Sequence, residues 1–231
     1  DYDIQAYALY ADLALNLTDI VGFKVIPHVG FMYTSGDDDA DDDDLEGYTA
    51  VVNAQRFTPR FGGEDTIIGD QNTLLGTALY GYVPELYGSM GGTQQNGGVA
   101  TGGFFNGSIG GRGDNPGMLM LGGGITIEPR EWISYRTNFL WFEINEDFAV
   151  NSTSPPQAVG GLDLSTDVDS GTLGQQWSNS LRISLNRHVH FFANATLFFP
   201  DEVIEDVTED VYGDESDDVA QRYAVALIWR F

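Results

Sequence analysis

The chain has 231 residues, with 35 acidic side chains against 10 basic ones, a formal net charge of -25 and no cysteine. A chain this acidic lacks the basic surface that nucleic acid binding requires. The absence of cysteine excludes disulfide scaffolds, thiol nucleophiles, cysteine-ligated zinc and iron–sulfur clusters. Hydrophobic residues make up 42% of the chain and aromatic residues 13%, which is too much for a disordered protein. Together with 29 glycines, this composition indicates many short β-strands.

Seven segments alternate apolar and polar residues with a period of two, and this alternation predicts β-strands. The clearest segment lies at the C-terminus, where an apolar face ending in Trp229 and Phe231 alternates with a face that carries Arg222 and Arg230. No window approaches the roughly 18 consecutive apolar residues of a transmembrane helix. The predicted strands cover residues 2–16, 20–34, 117–127, 131–143, 174–186, 189–199 and 220–231.

The connections between these strands alternate in length. The short ones are 17–19, 128–130 and 187–188, and the long ones are 35–116, 144–173 and 200–219. Outer-membrane barrels have short periplasmic turns and long external loops, and they cross the bilayer with strands of about 9–11 residues. The predicted fold is therefore an all-β, antiparallel transmembrane β-barrel in the bacterial outer membrane, in contact with lipid and lipopolysaccharide. A water-soluble β-sandwich is the alternative, although its strands would be shorter, about 5–6 residues.

Aromatic residues near the ends of the predicted strands fit the girdles that such barrels place at the membrane interfaces. They are Tyr33, Trp132, Trp141, Trp177, Trp229 and Phe231.

The odd number of strands bears on domain organisation, because a complete single-chain barrel of this kind has an even number and begins in the periplasm. We therefore expect residues 1–231 to be the C-terminal portion of one β-barrel domain. A missed eighth strand is the alternative. No signal peptide is visible, so an exported protein would be present here in processed form.

The basic residues follow the polar faces of the predicted strands, which would point into the barrel. They are Lys24, Arg136, Arg182, Arg222 and Arg230. Rings of Arg and Lys suit the passage of anions. The alternative is that these side chains pair with nearby carboxylates and fill space. The histidines His28, His188 and His190 are too few and too poorly spaced for a metal triad, and we interpret them as ordinary lumen or turn residues.

The long loops hold most of the acidic residues. Residues 35–44 place seven aspartates in ten positions, and such a density of hard oxygen ligands could bind Ca²⁺. The segment lacks the spacing of an EF-hand, so a solvated, self-repelling loop is the other interpretation. In the acidic loop at 200–219, divalent cations could similarly bridge the loop to itself or to lipopolysaccharide phosphates, and a purely solubilising loop is the alternative. The candidate Ca²⁺ ligands are Asp37, Asp38, Asp39, Asp41 and Asp42.

Two segments resemble known outer-membrane proteins. The strand ending in Tyr33-Thr34-Ser35-Gly36-Asp37-Asp38-Asp39, followed by an acidic stretch and Leu45-Glu46-Gly47-Tyr48, resembles the alginate-export family of outer-membrane barrels. The terminal Trp229-Arg230-Phe231 resembles the aromatic signal by which the barrel-assembly machinery recognises its substrates. The resemblance implies a large monomeric barrel in a Gram-negative outer membrane, whose basic lumen passes an anionic polysaccharide or small solutes. The chain departs from that family in length, since it would supply about half of the expected strands.

Two functions remain open at this point. The first is a porin or channel that passes solutes through a mildly basic lumen. The second is a structural or binding protein of the outer membrane, whose acidic loops bind Ca²⁺ or a partner protein. No nucleophile elbow is present in the sequence, and we predict no enzymatic activity.

Overall fold

The computed structural model describes residues 3–36, 44–46, 116–151, 165–212 and 217–229. Within these residues, no helix has the length and apolar character needed to span a membrane. The elements in chain order are β1 (Asp3–Ile4), β2 (Ala8–Ala14), α1 (Thr18–Val21), β3 (Lys24–Thr34), β4 (Asp44–Leu45), β5 (Met118–Arg130), β6 (Ile133–Ile144), β7 (Phe148–Asn151), β8 (Ser165–Val168), β9 (Gly171–Ser184), β10 (Val189–Pro200), α2 (Glu202–Tyr212) and β11 (Ala220–Trp229).

Seven of these strands form one antiparallel sheet in the order β2, β3, β5, β6, β9, β10, β11. At one end, called the turn end, residues 15–23, 131–132 and 185–188 connect adjacent strands. At the other end, called the loop end, the connections are 35–117, 145–170 and 201–219. The sheet confirms the prediction of an antiparallel all-β fold.

Even-numbered residues share one face of this sheet and odd-numbered residues share the other. This arrangement follows from the register of the strands. Residues that pair across adjacent strands, such as Thr34 with Met118 and His190 with Ser184, are both even-numbered or both odd-numbered, so their side chains point to the same face. The register shifts near Arg130 and at Glu143, close to the ends of the strands. We call the two surfaces the even face and the odd face.

Several predicted strand boundaries are wrong. Residues 128–130, predicted as a turn, belong to β5, because the strand continues past Pro129 through the register shift that precedes Arg130. The predicted turn at 17–19 is the start of helix α1, which ends at Gly22 with a left-handed φ of 83°. The predicted first strand is divided between β1 and β2, since β1 pairs with β4 rather than with β3.

The predicted acidic loop at 200–219 contains the helix α2. Val203, Ile204 and Val207 are buried and form a stripe at helical spacing, and the helix packs mainly against β9 and β8. At its N-terminus, the Glu202 N–H donates a hydrogen bond of 3.0 Å to the Asp201 carboxylate. The loop is therefore partly structured, because its apolar residues are spaced to cover the loop end of the sheet.

The predicted loop at 144–173 also contains regular structure. Strands β7 and β8 pair in antiparallel fashion. At the base of this pair, the Ser170 N–H donates a hydrogen bond of 2.7 Å to Asp147 Oδ1, and this bond lowers the pKa of Asp147. β9 begins at Gly171, three residues earlier than predicted, because its first residues pair with the end of β6.

Candidate functional site

The odd face of the sheet is apolar and exposed. All but two of the exposed large hydrophobic side chains in its seven strands are odd-numbered, and the exceptions, Tyr10 and Ile228, lie on the edge strands β2 and β11. Val225, for example, is 72% exposed. The buried polar side chains of the same strands are all even-numbered: His28, Asn138, Gln176, Ser178 and Thr196. This polarity is the inverse of that in a water-soluble domain, which buries its apolar face.

The half of the even face nearest the turn end is polar. One row of neighbouring residues crosses all seven strands, and within it His28 Nε2 lies 3.1 Å from Asn138 Oδ1. The next two rows towards the turn end also carry polar or charged side chains. The first row consists of Ala14, His28, Gly124, Asn138, Ser178, Thr196 and Arg222.

The structure places four of the five predicted lumen residues on the even face. Lys24 and Arg182 lie in the row at the turn end, Arg136 lies one row further in, and Arg222 lies two rows further in. The fifth, Arg230, lies outside the described residues.

The sequence analysis missed Glu128, which lies beside Lys24 at the turn end. Lys24 Nζ is 3.0 Å from Glu128 Oε1, and Ser134 Oγ donates a hydrogen bond of 3.2 Å to the same oxygen. The Lys24 and Glu128 side chains are 45% and 21% exposed, and an ion pair this exposed contributes little to stability. The carboxylate of Glu128 therefore offsets the charge of Lys24.

Towards the loop end, the even face changes to buried apolar side chains. They are Met118, Met120, Leu140, Phe142, Ile144 and Phe198. The buried apolar residues of α2 lie at the same end, since α2 contacts β8, β9 and β10. The even face therefore grades from exposed charges at the turn end to close apolar packing at the loop end.

The segment that resembles the alginate-export family forms a junction at the loop end. The Tyr7 N–H donates a hydrogen bond of 2.9 Å to Ser35 Oγ, and Ser35 Oγ donates one of 2.6 Å to the Glu46 carbonyl. Gly36 lies so close to Pro116 that a Cβ on Gly36 would overlap the Pro116 carbonyl oxygen. The backbone therefore brings Gly36 against Pro116, the residues that precede and follow the segment 37–115.

The aromatic residues of the predicted girdles are only partly where the sequence placed them. Trp132 and Trp229 lie at the turn end and are exposed, and Trp229 of the predicted assembly signal points from the odd face. Trp177 instead lies in mid-sheet, where it pairs with Phe139 and its Nε1 donates a hydrogen bond of 2.9 Å to Thr137 Oγ1. Its position differs because β9 begins earlier than predicted. Phe231 lies outside the described residues.

The predicted calcium ligands Asp37, Asp38, Asp39, Asp41 and Asp42 also lie outside the described residues. In the part of the chain that the structure describes, no group of three or more His, Asp or Glu residues is arranged to hold a metal ion.

Comparison of the chain with protein-family models, with curated proteins and with solved structures gave no match.

Proposed function

We propose that the chain forms part of the wall of an outer-membrane β-barrel, with its odd face against lipid and its even face towards a polar interior. The inverted polarity of the sheet carries this proposal, because the odd face would be an aggregation hazard in water and is matched by hydrocarbon. In mid-sheet, two pairs of polar side chains on the odd face are hydrogen-bonded to each other, as contact with hydrocarbon favours. Tyr135 donates a hydrogen bond of 2.6 Å to Asn179 Oδ1, in addition to the bond between Trp177 and Thr137.

The lengths of six of the seven strands, 10 to 14 residues, support the same proposal, whereas the edge strand β2 has 7 residues. β3 has 11 residues and β9 has 14. Eleven residues rise about 37 Å along the strand axis, and a strand tilted by about 45° then spans about 26 Å, which matches the apolar band of a transmembrane barrel.

Within such a barrel, we propose that the even face guides anionic solutes, including anionic sugars or polysaccharide. Apart from Arg130 beyond the register shift, the even face of the seven strands carries four basic residues and two acidic ones, Asp12 and Glu128. Positive side chains facing a confined aqueous interior raise the local concentration of anions. Lys24 and Arg182 are exposed in the same row near the turn end, so a solute that enters from that end would meet them before Arg136 and Arg222.

The second candidate function is structural: the barrel anchors binding loops at the membrane surface, which we call the mounting function. The near-complete burial of Gln176 and Thr196, at 0% and 1% exposure, favours it. Interior side chains packed this closely fill the cross-section of a small barrel. Transport and mounting differ in a directly measurable property, the conductance of a bilayer that contains the protein.

Replacing Val225 by arginine tests the orientation of the sheet in the membrane. Val225 and Ala226 are consecutive, exposed residues of β11 that belong to the odd and even faces respectively. We expect Val225→Arg to lower the free energy of unfolding in lipid vesicles by about 2 kcal/mol, because a charge on the lipid face must enter hydrocarbon. The measurement is a guanidinium titration of the folded protein in vesicles.

The matched control is Ala226→Arg, which adds the same side chain to the other face of the same strand. We expect it to change the free energy of unfolding by less than about 1 kcal/mol. Equal losses for the two variants, or no loss for Val225→Arg, would show that the odd face does not contact lipid.

Removing two lumen arginines tests the transport function. In planar bilayers, we expect the double variant Arg136→Ser and Arg182→Ser to lower the ratio of anion to cation permeability by about threefold, because two positive charges leave the interior. The control is Arg130→Ser with Arg187→Ser, which removes the same charge from exposed positions around the turns. A wild-type protein that inserts but conducts no ions would favour the mounting function instead.

A further inference from the structure

The odd face contains an apolar groove in mid-sheet. The groove has a volume of about 420 Å³ and is lined by Gly123, Gly124, Thr137, Phe139, Trp177 and Phe199. It exists because β5 supplies a glycine, Gly123, to a row in which its two neighbours are the large side chains of Val29 and Phe139. Phe139 and Trp177 are 48% and 44% exposed and form one wall of the groove.

The fold itself does not require glycine at position 123. Gly123 lacks a positive φ, and a Cβ there would meet its nearest neighbours, the His28 carbonyl oxygen and Val29 Cγ1, at an ordinary contact distance of 3.7 Å. The adjacent Gly124 differs, since a Cβ there would lie 2.5 Å from the Thr137 carbonyl oxygen. A glycine inside a strand often marks a bulge, a tight bend, or a place where a ligand or another backbone approaches closely. The register of β5 does not shift at Gly123, which removes the bulge.

The groove offers carbon surface to its occupant. The two polar side-chain atoms of its lining residues, Thr137 Oγ1 and Trp177 Nε1, are hydrogen-bonded to each other. Among the described strand residues, the row of Gly123 and the rows directly above and below it on the odd face contain no charged side chain. Protein interfaces usually have a polar rim that fixes orientation, so these rows favour a hydrocarbon ligand over a protein partner.

The position of the groove along the strands also restricts its occupant. Gly123 lies five residues from the start of β5 and seven from its end. In a sheet that spans a bilayer, this is the depth of the acyl chains, which headgroups do not reach.

We propose that the groove holds one acyl chain of a membrane phospholipid. This inference rests on the proposed membrane orientation and adds to it a defined lipid site, with Gly123 as its floor and Phe139 and Trp177 as its wall. The acyl chain lies over Gly123, where no side chain is present, and fills a gap in an otherwise continuous apolar row. In this gap it makes more van der Waals contact than on the flatter surface around it.

The test compares three proteins in phosphatidylcholine vesicles: the wild type, Gly123→Leu, which fills the groove, and Ile125→Leu, which alters the next odd-face residue of β5 without adding volume. After extraction into mild detergent, native mass spectrometry counts the phosphatidylcholine molecules retained. We expect one lipid to be retained by the wild type and by Ile125→Leu, and retention to fall about tenfold in Gly123→Leu. Gly123→Ala, which adds one methyl group, should reduce lipid retention by a smaller factor. This variant provides the test if Gly123→Leu does not fold.

A second measurement separates failure of the groove from failure of the membrane proposal. Trp177 is kept as the single tryptophan by changing Trp132, Trp141 and Trp229 to Phe, and its fluorescence is quenched with phosphatidylcholine brominated in mid-chain. If Trp177 is quenched but all variants retain lipid equally, the proposed lipid site is wrong and the proposed membrane orientation is retained. Absence of quenching would overturn both. A dimer that dissociates in Gly123→Leu, with lipid retention unchanged, would assign the groove to a second copy of the chain and overturn the lipid site.

Discussion

Gly124→Ala is expected to destabilise the protein by about 2–3 kcal/mol, whereas Gly123→Ala, one residue earlier, is expected to be neutral or slightly stabilising. The two glycines lie on opposite faces of β5 and meet different surroundings. A Cβ on Gly124 would overlap Asn138 Oδ1 and lie 2.5 Å from the Thr137 carbonyl oxygen and 2.8 Å from His28 Nε2. Such overpacking typically costs about 1–3 kcal/mol, and the backbone carbonyl cannot rotate away as a side chain can.

At Gly123 the added methyl group enters the open groove, and alanine restricts the unfolded chain more than glycine does. Glycine inside a strand is less stable than alanine by roughly 0.5–1 kcal/mol, so Gly123→Ala should not lower stability. The measurement is the free energy of unfolding of each variant in lipid vesicles, with heat-modifiable mobility on a denaturing gel as the check that the protein has folded. Equal effects at the two positions would show that the even face is not packed as described.

Gly124→Ala also reports on the polar row that ends at Arg222. The overlap falls on Asn138 and His28, whose side chains lie 3.1 Å apart across the strands. Their displacement would disturb the row that continues to Arg222. A loss of stability that is accompanied by changed ion selectivity would therefore connect the packing of this row to transport.

The sequence was sufficient to predict the sheet and its two faces, because side chains alternate with a period of exactly two residues in every strand. Arg136 and Arg182 could be assigned to one face from their own strands alone. That the same parity is kept from β2 to β11 follows from the pairing of the strands, which the alternation leaves open.

The sequence analysis failed where local composition conflicts with tertiary packing. Pro129 suggested a turn, but β5 accommodates it near the end of the strand, where the register shifts. The acidic composition around α2 concealed the apolar spacing of Val203 and Val207, which gains its stability from burial against the sheet. A search for helical periodicity within the acidic loop would have found this helix.

Contacts between distant segments could not be predicted from one sequence. The partner of Lys24 lies on a different strand, and Glu128 was assigned to a turn, so their ion pair required the register of β3 against β5. The groove at Gly123 has the same origin. Its walls come from β6, β9 and β10, and neither the glycine nor the aromatic residues indicate a cavity until those strands are placed side by side.

Gly117→Ala is expected to lower the free energy of unfolding by about 3 kcal/mol, which exceeds the effect of Gly22→Ala. Both glycines have left-handed backbones, with φ of 64° at Gly117 and 83° at Gly22, a conformation that costs other residues roughly 1–2 kcal/mol. At Gly22 a Cβ would meet nothing within 4 Å, whereas at Gly117 it would lie 2.5 Å from both the Gly36 nitrogen and the Thr34 carbonyl oxygen.

The difference between the two variants therefore isolates the close backbone contact between the residues that precede and follow the segment 37–115. We expect this contact to contribute about 1–2 kcal/mol beyond the cost of the left-handed backbone, as measured by guanidinium titrations of both variants in lipid vesicles. Because Ser35 Oγ also joins Tyr7 to Glu46 at this point, Ser35→Ala should lower the free energy of unfolding by about 1 kcal/mol, the cost of removing a hydrogen bond between partly buried groups. If Gly117→Ala costs no more than Gly22→Ala, the backbone of Gly117 is not held against Thr34 and Gly36 as described.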